Sequence, residues 1–272
     1  MFKPTDPPQL MGILNVTPDS FSDGGKFSGL TAALRQAETM LAEGADIIDI
    51  GGESTRPGAE PVPADEQISR VVPAIKAIRS INAAVKISID TMSSQVAAAA
   101  LEAGADIIND VSGGTADPNM LAFAGQAQVP IILMHMQGTP KTMQDNPHYD
   151  DVVSEVMAVL NQRIDAALAA GVKPEHIAID PGIGFGKRKQ DNLELLAHLP
   201  RFVELGYPVL LGTSRKRFMG SICNVSEPAE LVTATAVTTA LGVMAGVQMF
   251  RVHDVKANRQ ALDVAWAIKQ AR

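Results

Sequence analysis

One cysteine, Cys223, stands in the 272 residues. That excludes an internal disulfide and an all-cysteine metal cluster, and it makes a reducing compartment, the cytoplasm, the expected setting. Aromatic residues are scarce too, at 4% with one Trp and two Tyr, so alanine, glycine and short aliphatics carry the apolar content. Such a composition suits helices packed closely on a parallel sheet. Residues Met1 to Leu10 hold three prolines and no long apolar run, which predicts neither a signal peptide nor a membrane span. Positive charge is not in surplus either: the net charge is −7 and no basic stripe is present, so nucleic acid is not an expected partner and any anionic substrate must be met by cations gathered locally. Nucleotide signatures are absent, because Gly182-Ile-Gly-Phe-Gly186 lacks the dinucleotide spacing and no Walker loop occurs. The histidines, His135 and His148 among them, show no zinc-ligand spacing.

What the chain has is alternation. Short apolar runs predict strands at Leu10–Thr17, Ile47–Gly52, Val85–Asp90, Ile107–Val111, Pro130–Met136, Ile177–Asp180, Val209–Thr213 and Met249–His253. Helical patterns follow at Thr31–Gly44, Ala64–Ile81, Ser93–Ala103, Pro118–Gln126, Tyr149–Ala170, Asp191–Leu205, Pro228–Ala245 and Lys256–Gln270. An internal echo, LAEGADIID at 41–49 and LEAGADIIN at 101–109, repeats one helix-end-to-strand pattern, with Gly44 and Gly104 expected just past helix C-termini. Apolar strands joined by helical crossovers imply a parallel sheet covered by helices. Eight such units predict an α/β fold, a single (β/α)8 TIM barrel spanning 1–272 as one domain, with an open doubly wound sheet as the alternative.

Polar residues gather after the strands and seldom after the helices. Asn15, Glu53–Arg56, Asp90, Asn109, His135, Asp180, Ser214–Lys216 and Arg251 with His253 all fall at or just beyond strand C-termini, the ends that build the active site in a parallel barrel. The centre of this pattern is IAIDPGIGFGK at 177–187. There Pro181 stops sheet pairing and three glycines permit a tight turn, delivering Asp180 to a cleft. Arg251 and His253, two apart on a strand, point the same way and suit phosphate oxygens. Arg56, Lys216 and the amides of Ser54–Thr55 add further anion receptors. Asp90, Asn109 and Asp180 suit a flat heterocycle, with one carboxylate accepting adjacent N–H groups of a 2-amino-4-oxo-pyrimidine edge. Met134, Met136 and Phe185 either line that ring or pack as ordinary core. Asn15 either ligates a hard cation such as Mg²⁺ or stabilises a turn. The loop after the first strand, carrying Asp19, Phe21, Asp23, Gly24 and Gly25, and the loop Glu53–Pro63 are candidate lids.

Assembled in order, the motifs resemble those of the dihydropteroate synthase family. They are GILNVTPDSFSDGG (12–25), DIIDIGGESTRPG (46–58), ISIDT (87–91), IND (108–110), MHMQG (134–138), DPGIGFGK (180–187), GTSRK (212–216) and RVHD (251–254). They reach from the first strand to the last. Gln190-Asp191-Asn192 departs from the pattern, standing where the family often has a histidine before the asparagine, and Arg217-Phe218 vary after GTSRK.

The resemblance implies a pterin-binding barrel that condenses 6-hydroxymethyl-7,8-dihydropterin pyrophosphate with p-aminobenzoate, giving 7,8-dihydropteroate and pyrophosphate by Mg²⁺-assisted, SN1-like loss of the leaving group. Sulfonamides compete for the second substrate's pocket in such enzymes. By the same resemblance Asp90, Asn109, Asp180 and Lys216 are catalytic and pterin-binding, with Met134, Phe185 and Gly212 near the ring. Asn15, Arg251 and His253 take the pyrophosphate, with Asn15 on the metal. Phe21, Thr55, Arg56, Pro57 and Ser214 form the p-aminobenzoate pocket. A homodimer formed through helices near the C-terminus is also implied. Two other readings share these residues: a pterin-binding methyltransferase domain and a non-catalytic pterin-binding protein.

Overall fold

In the computed structural model, residues 7–16, 25–54 and 58–271 are described, residues 25–28 by backbone alone. The strands among them are β1 (Gln9–Asn15), β2 (Ile47–Gly51), β3 (Lys86–Asp90), β4 (Ile107–Asp110), β5 (Ile131–Met134), β6 (Ile177–Asp180), β7 (Leu210–Leu211) and β8 (Met249–Val252). Between and after them run α1 (Gly25–Ala42), α2 (Ala64–Ile81), α3 (Ser94–Ala103), α4 (Met120–Ala127), α5 (Val152–Ala169), α6 (Lys189–Ala197), α7 (Leu199–Val203), α8 (Arg217–Cys223), α9 (Val232–Ala245) and α10 (Val255–Gln270). The strands are parallel and lie in the order β6-β5-β4-β3-β2-β1-β8-β7. The two ends of that order meet through a single parallel bridge, Ile179 to Val209, where Ile179 N–H donates to the Pro208 carbonyl at 2.9 Å. The fold is therefore the (β/α)8 barrel, and its narrowest join lies between β6 and the two-residue β7.

Strand parity decides where the polar residues go. Successive side chains face opposite sides of a strand. Met11, Ile47, Ile107, Ile132, Ala178, Leu210 and Met249, one from each strand but β3, form a closed apolar layer inside the barrel. Their outward neighbours Leu10, Ile48, Ile108, Ile131, Ile177, Leu211 and Phe250 join the larger core beneath the helices, where full burial of each contributes about 1.5–3 kcal/mol. Two residues further along β2, β4, β5, β6 and β8, on the inward parity, come Asp49, Asn109, Met134, Asp180 and Arg251. Gly212 holds the same position just past β7. An apolar floor thus carries a polar layer, and the polar layer opens at the C-terminal mouth.

The sequence echo has a structural counterpart at the opposite, N-terminal end. Gly44 (φ +98°) and Gly104 (φ +113°) both adopt the left-handed backbone that follows a helix. Asp46 accepts from Leu10 N–H at 2.7 Å and pairs with Arg259 at 3.1 Å. In the same way Asp106 accepts from Ile87 N–H at 2.8 Å and pairs with Arg79, which also donates to the Gly104 carbonyl at 2.7 Å. Each unit ties a strand start to its neighbour. Replacing Asp106 with alanine removes the acceptor for both donors and is expected to cost about 1–2 kcal/mol of stability, read as a lower unfolding midpoint with unchanged turnover, because this end lies across the barrel from the mouth.

Several element boundaries differ from the sequence pattern: β7 keeps only Leu210–Leu211 of the five residues expected, β8 ends at Val252 so that His253 follows the strand, and α1 begins at Gly25. The helix expected over Asp191–Leu205 divides at His198, because Pro200 has no N–H to donate and sits in the first turn of a new helix instead. The segment after Gly212-Thr-Ser-Arg-Lys216 contains the additional helix α8 before α9 begins. Strand β5 ends at Met134, so His135 and Met136 belong to the following loop. No helix among the described residues is long and apolar enough to cross a membrane.

Candidate active site

The mouth is an open cleft of about 720 Å³ whose lining includes Asn15, Asn109, Met134, Asp180, Phe185, Gly212, Ser214, Lys216, Arg251 and His253. Residues from positions 15 to 253 are thus brought to one rim. Phe21, Thr55, Arg56 and Pro57 lie outside the described residues. The lining also holds Lys187, Arg188, Lys189, Arg215 and Arg217, and among the described lining residues Asp180 is the only carboxylate. In a chain of net charge −7, the cleft holds more cations than carboxylates, as anion capture requires, although Arg188 and Arg215 are paired with Asp191 and Asp254.

Asp180 ends β6 and is buried. Its Oδ1 accepts from Gly182 N–H at 2.7 Å, while Oδ2 faces the space that a side chain at Gly212 would fill, 3.9 Å from where its Cβ would lie. Burial raises its pKa to about 6 against the opposing pull of the Gly182 amide, Lys216, Lys187 and Arg251. The turn after it is steric as well as electrostatic in design. Gly182, at φ +69°, has the His135 carbonyl oxygen 1.9 Å from where a Cβ would stand, so only glycine fits. Phe185 lies under the Lys216 ammonium, 4.1 Å from ring centroid to Nζ. Burial and Arg251 bring the Lys216 pKa down to about 8, against the pull of Asp180 and Asp90.

Arg251 does not stand alone as an anion receptor. Its Nε donates to Asp49 Oδ2 and its Nη2 to Asp90 Oδ2, both at 2.6 Å. The third nitrogen, Nη1, is used by neither carboxylate. Asp49, fully buried, also takes long bonds of 3.3 and 3.4 Å from Asn109 Nδ2. Asp90 is raised to about 7, mainly by burial and further by Asp49, Asp110 and Glu53, with Arg251 pulling it down. Its Oδ1 is buried without a hydrogen-bond partner, a position that a ligand N–H or a water would satisfy. Next to Arg251, Ser214 Oγ accepts from His253 N–H at 3.0 Å and lies 2.9 Å from Nδ1. With the hydroxyl proton given to Nδ1, the ring proton sits on Nε2 as a donor.

Three residues that sequence reasoning passed over complete the arrangement. Asp49 joins Arg251 to Asn109; its signal was an acid at inward parity inside an otherwise apolar strand. Asn192 Oδ1 accepts from Gly184 N–H at 2.6 Å. Lys187 is buried beneath the glycine-rich turn.

Fold and mouth together are those of a (β/α)8 barrel with a cation-rich cleft at the C-terminal ends of its strands. A family model described as "Pterin binding enzyme" matches residues 11–253. A dihydropteroate synthase of Synechocystis sp. is 49% identical over 259 residues, covering 95% of this chain and 89% of that one. The solved dihydropteroate synthase of Xanthomonas albilineans with 4-aminobenzoic acid is 47% identical with a TM-score of 0.91, covering 98% of this chain and 94% of that one. The same organism's enzyme in complex with 7,8-dihydropteroate is 43% identical with a TM-score of 0.87, covering 98% and 95%. The chain belongs to the pterin-binding enzyme family and, within it, to the dihydropteroate synthases.

Proposed function

We propose that this chain, as a single barrel domain, joins 6-hydroxymethyl-7,8-dihydropterin pyrophosphate to p-aminobenzoate and releases 7,8-dihydropteroate and pyrophosphate. The observation that supports the reading most is that Asp180, the acceptor for a ring edge, and Arg251 with His253, the donors for a diphosphate, line one cleft. Asp180 Oδ2 takes the adjacent N–H donors of the pterin, Asn109 holds the rest of its polar edge, and Met134, Phe185 and Gly212 border its faces. Asp90, expected at the pterin, does not line the cleft and acts from behind it through its pair with Arg251. Lys216, above Phe185, brings a cation to the ring's acceptor side. Arg251 and His253 are assigned to the diphosphate.

The carbon–oxygen bond breaks first and its electron pair leaves with pyrophosphate. The electron-rich dihydropterin spreads the resulting positive charge, which the Asp180 carboxylate stabilises. The aniline nitrogen of p-aminobenzoate then forms the new carbon–nitrogen bond and gives up a proton. Phe21, Thr55, Arg56, Pro57 and Ser214 are assigned to p-aminobenzoate, and closure of the two N-terminal loops excludes water that would quench the cation.

Mg²⁺ fits this donor set in one way. Among the described residues no group of three or more His, Cys, Asp or Glu can hold a metal, but Mg²⁺ commonly takes one or two protein oxygens and completes its shell with water and substrate phosphates. Asn15 supplies that one oxygen at the end of β1. When bound, Mg²⁺ supplies charge neutralisation for the departing diphosphate.

The test is to mix the pterin pyrophosphate, p-aminobenzoate and Mg²⁺ and follow pyrophosphate and dihydropteroate. Both should form in equal amounts. Ligand binding without turnover would favour a pterin-binding protein, and methyl transfer from a reduced folate to a corrinoid would favour the methyltransferase reading. In single turnover, pyrophosphate should be released without p-aminobenzoate; failure of that release would overturn the dissociative order. We place the enzyme in the cytoplasm, consistent with its lone cysteine, Cys223. We also assign it a second copy as partner, because α9 exposes Val237 and Leu241 and the adjoining α10 exposes Val264 and Ile268. Leu241→Glu is expected to yield monomers by size-exclusion light scattering.

A further inference from the structure

The Lys187 ammonium occupies a position the reaction does not explain. It is buried, and its Nζ lies 2.9 Å from three acceptors: the Gly182 carbonyl, the Phe185 carbonyl and His135 Nδ1. The His135 carbonyl is a longer fourth partner at 3.4 Å. An ammonium has three protons and no lone pair, so the three short bonds use its full donor capacity. They come from two loops, the one after β5 and the one after β6.

What those bonds hold is the presentation of the pterin contacts. Gly182, whose carbonyl is bound by Lys187, gives its own N–H to Asp180 Oδ1. Phe185, also bound by its carbonyl, carries the ring beneath Lys216. We propose that Lys187 is a positioning residue for the pterin pocket: a buried cation that pins the glycine-rich turn so that Asp180 stays ionised and aimed and Phe185 stays beneath Lys216. The inference rests on the reading of Asp180 as the pterin acceptor.

The electrostatics agree with the geometry. The charged groups acting on Asp180 are Lys187 from its own loop, Lys216 from the loop after β7 and Arg251 from β8, and all three favour the carboxylate. Those acting on Lys187 are Asp180 and Asp191, which favour its charge, and Lys216, which opposes it. Burial outweighs them and brings Lys187 down to about 7. His135 is held neutral, pushed down to about 3 by burial and by Lys187, which leaves Nδ1 able to accept.

Two variants test this. Lys187→Met removes the donors and the charge; Lys187→Gln keeps two donors and removes the charge. Pterin pyrophosphate affinity is measured across pH for each, with KM for p-aminobenzoate at saturating pterin. Lys187→Met is expected to bind pterin about thirtyfold or more weakly, for the loss of charge-assisted bonds, while KM for p-aminobenzoate changes little. In both variants the pH below which affinity falls should move upward by about half a unit or more, because Asp180 loses a cation that favours its charged form. A merely structural lysine would leave that midpoint where it was. A folded Lys187→Met with wild-type affinity and midpoint overturns the proposal. If that variant does not fold, Lys187→Gln with an unmoved midpoint overturns it alone. Asp180→Asn separates the two readings: pterin binding retained there removes the basis in Asp180, whereas binding lost there but kept in both lysine variants removes only the role of Lys187.

Discussion

Asparagine at position 180 is expected to weaken pterin binding by about 10²–10⁴-fold, the loss of two charge-assisted hydrogen bonds at about 1.5–3 kcal/mol each. The geometry makes the substitution unusually clean. Because Oδ1 is already committed to Gly182 N–H at 2.7 Å, the asparagine oxygen will take that bond and its NH₂ group will occupy the Oδ2 position. A donor then meets donors. The free protein should not suffer. The folded pKa of Asp180, about 6, lies above its ordinary 3.8. Its contribution to stability is therefore complete below the lower value and is lost as pH rises through the higher one. At pH 8 the ionised carboxylate is a cost that an amide does not carry, so the variant should unfold at the same or a higher temperature while losing its ligand. In the native protein the same titration should make pterin affinity level above about pH 7 and decreasing below about 6, where the acceptor is protonated. Titration calorimetry across that range, with melting curves of both proteins, reads all three outcomes. Near-native affinity in the variant would remove Asp180 from its assigned role.

Methionine at position 251 should destabilise the protein by about 3–5 kcal/mol, since it leaves two buried carboxylates without their shared cation. Asp49 is fully buried and Asp90 is 5% exposed, so neither can turn to water. At this chain length the loss corresponds to a fall in unfolding temperature of about 6–20 °C. The deficit should depend on pH in a definite direction. Asp90, already raised to about 7 with Arg251 opposing the rise, moves higher without it, and a carboxylate with a raised folded pKa contributes its stability at low pH and loses it as pH rises. The variant should therefore approach the native protein near pH 5 and fall furthest behind near pH 8. Adding Asp49→Asn should recover part of the loss by removing one stranded charge. A melting temperature within two or so degrees of native at pH 8 would mean that the guanidinium does not hold the barrel mouth together.

How far the sequence disclosed this site follows from what each signal depends on. Strand-end placement was legible where it is local: an apolar run that stops at Asp180 announces both strand and end. The i, i+2 relation of Arg251 and His253 was legible for the same reason. Pairing was not, because it is set across the barrel. Arg251 read as an uncommitted cation, and its partner Asp49 is 202 residues away in the chain. Lys187 looked like the tail of a motif, since only the fold reveals that its side chain turns back under Gly182 and Phe185. The break at His198 was hidden by Pro200, which the first turn of α7 tolerates.

The single bridge between Ile179 and Val209 has a consequence for what the ligand does to the scaffold. Asp180 follows Ile179 on one bank of that gap, and Gly212 and Lys216 follow β7 on the other. On the proposed assignment of Asp180 and Lys216 to the pterin, the bound substrate would span the ring where backbone pairing is thinnest and act as a keystone, closing a circle that one bridge joins.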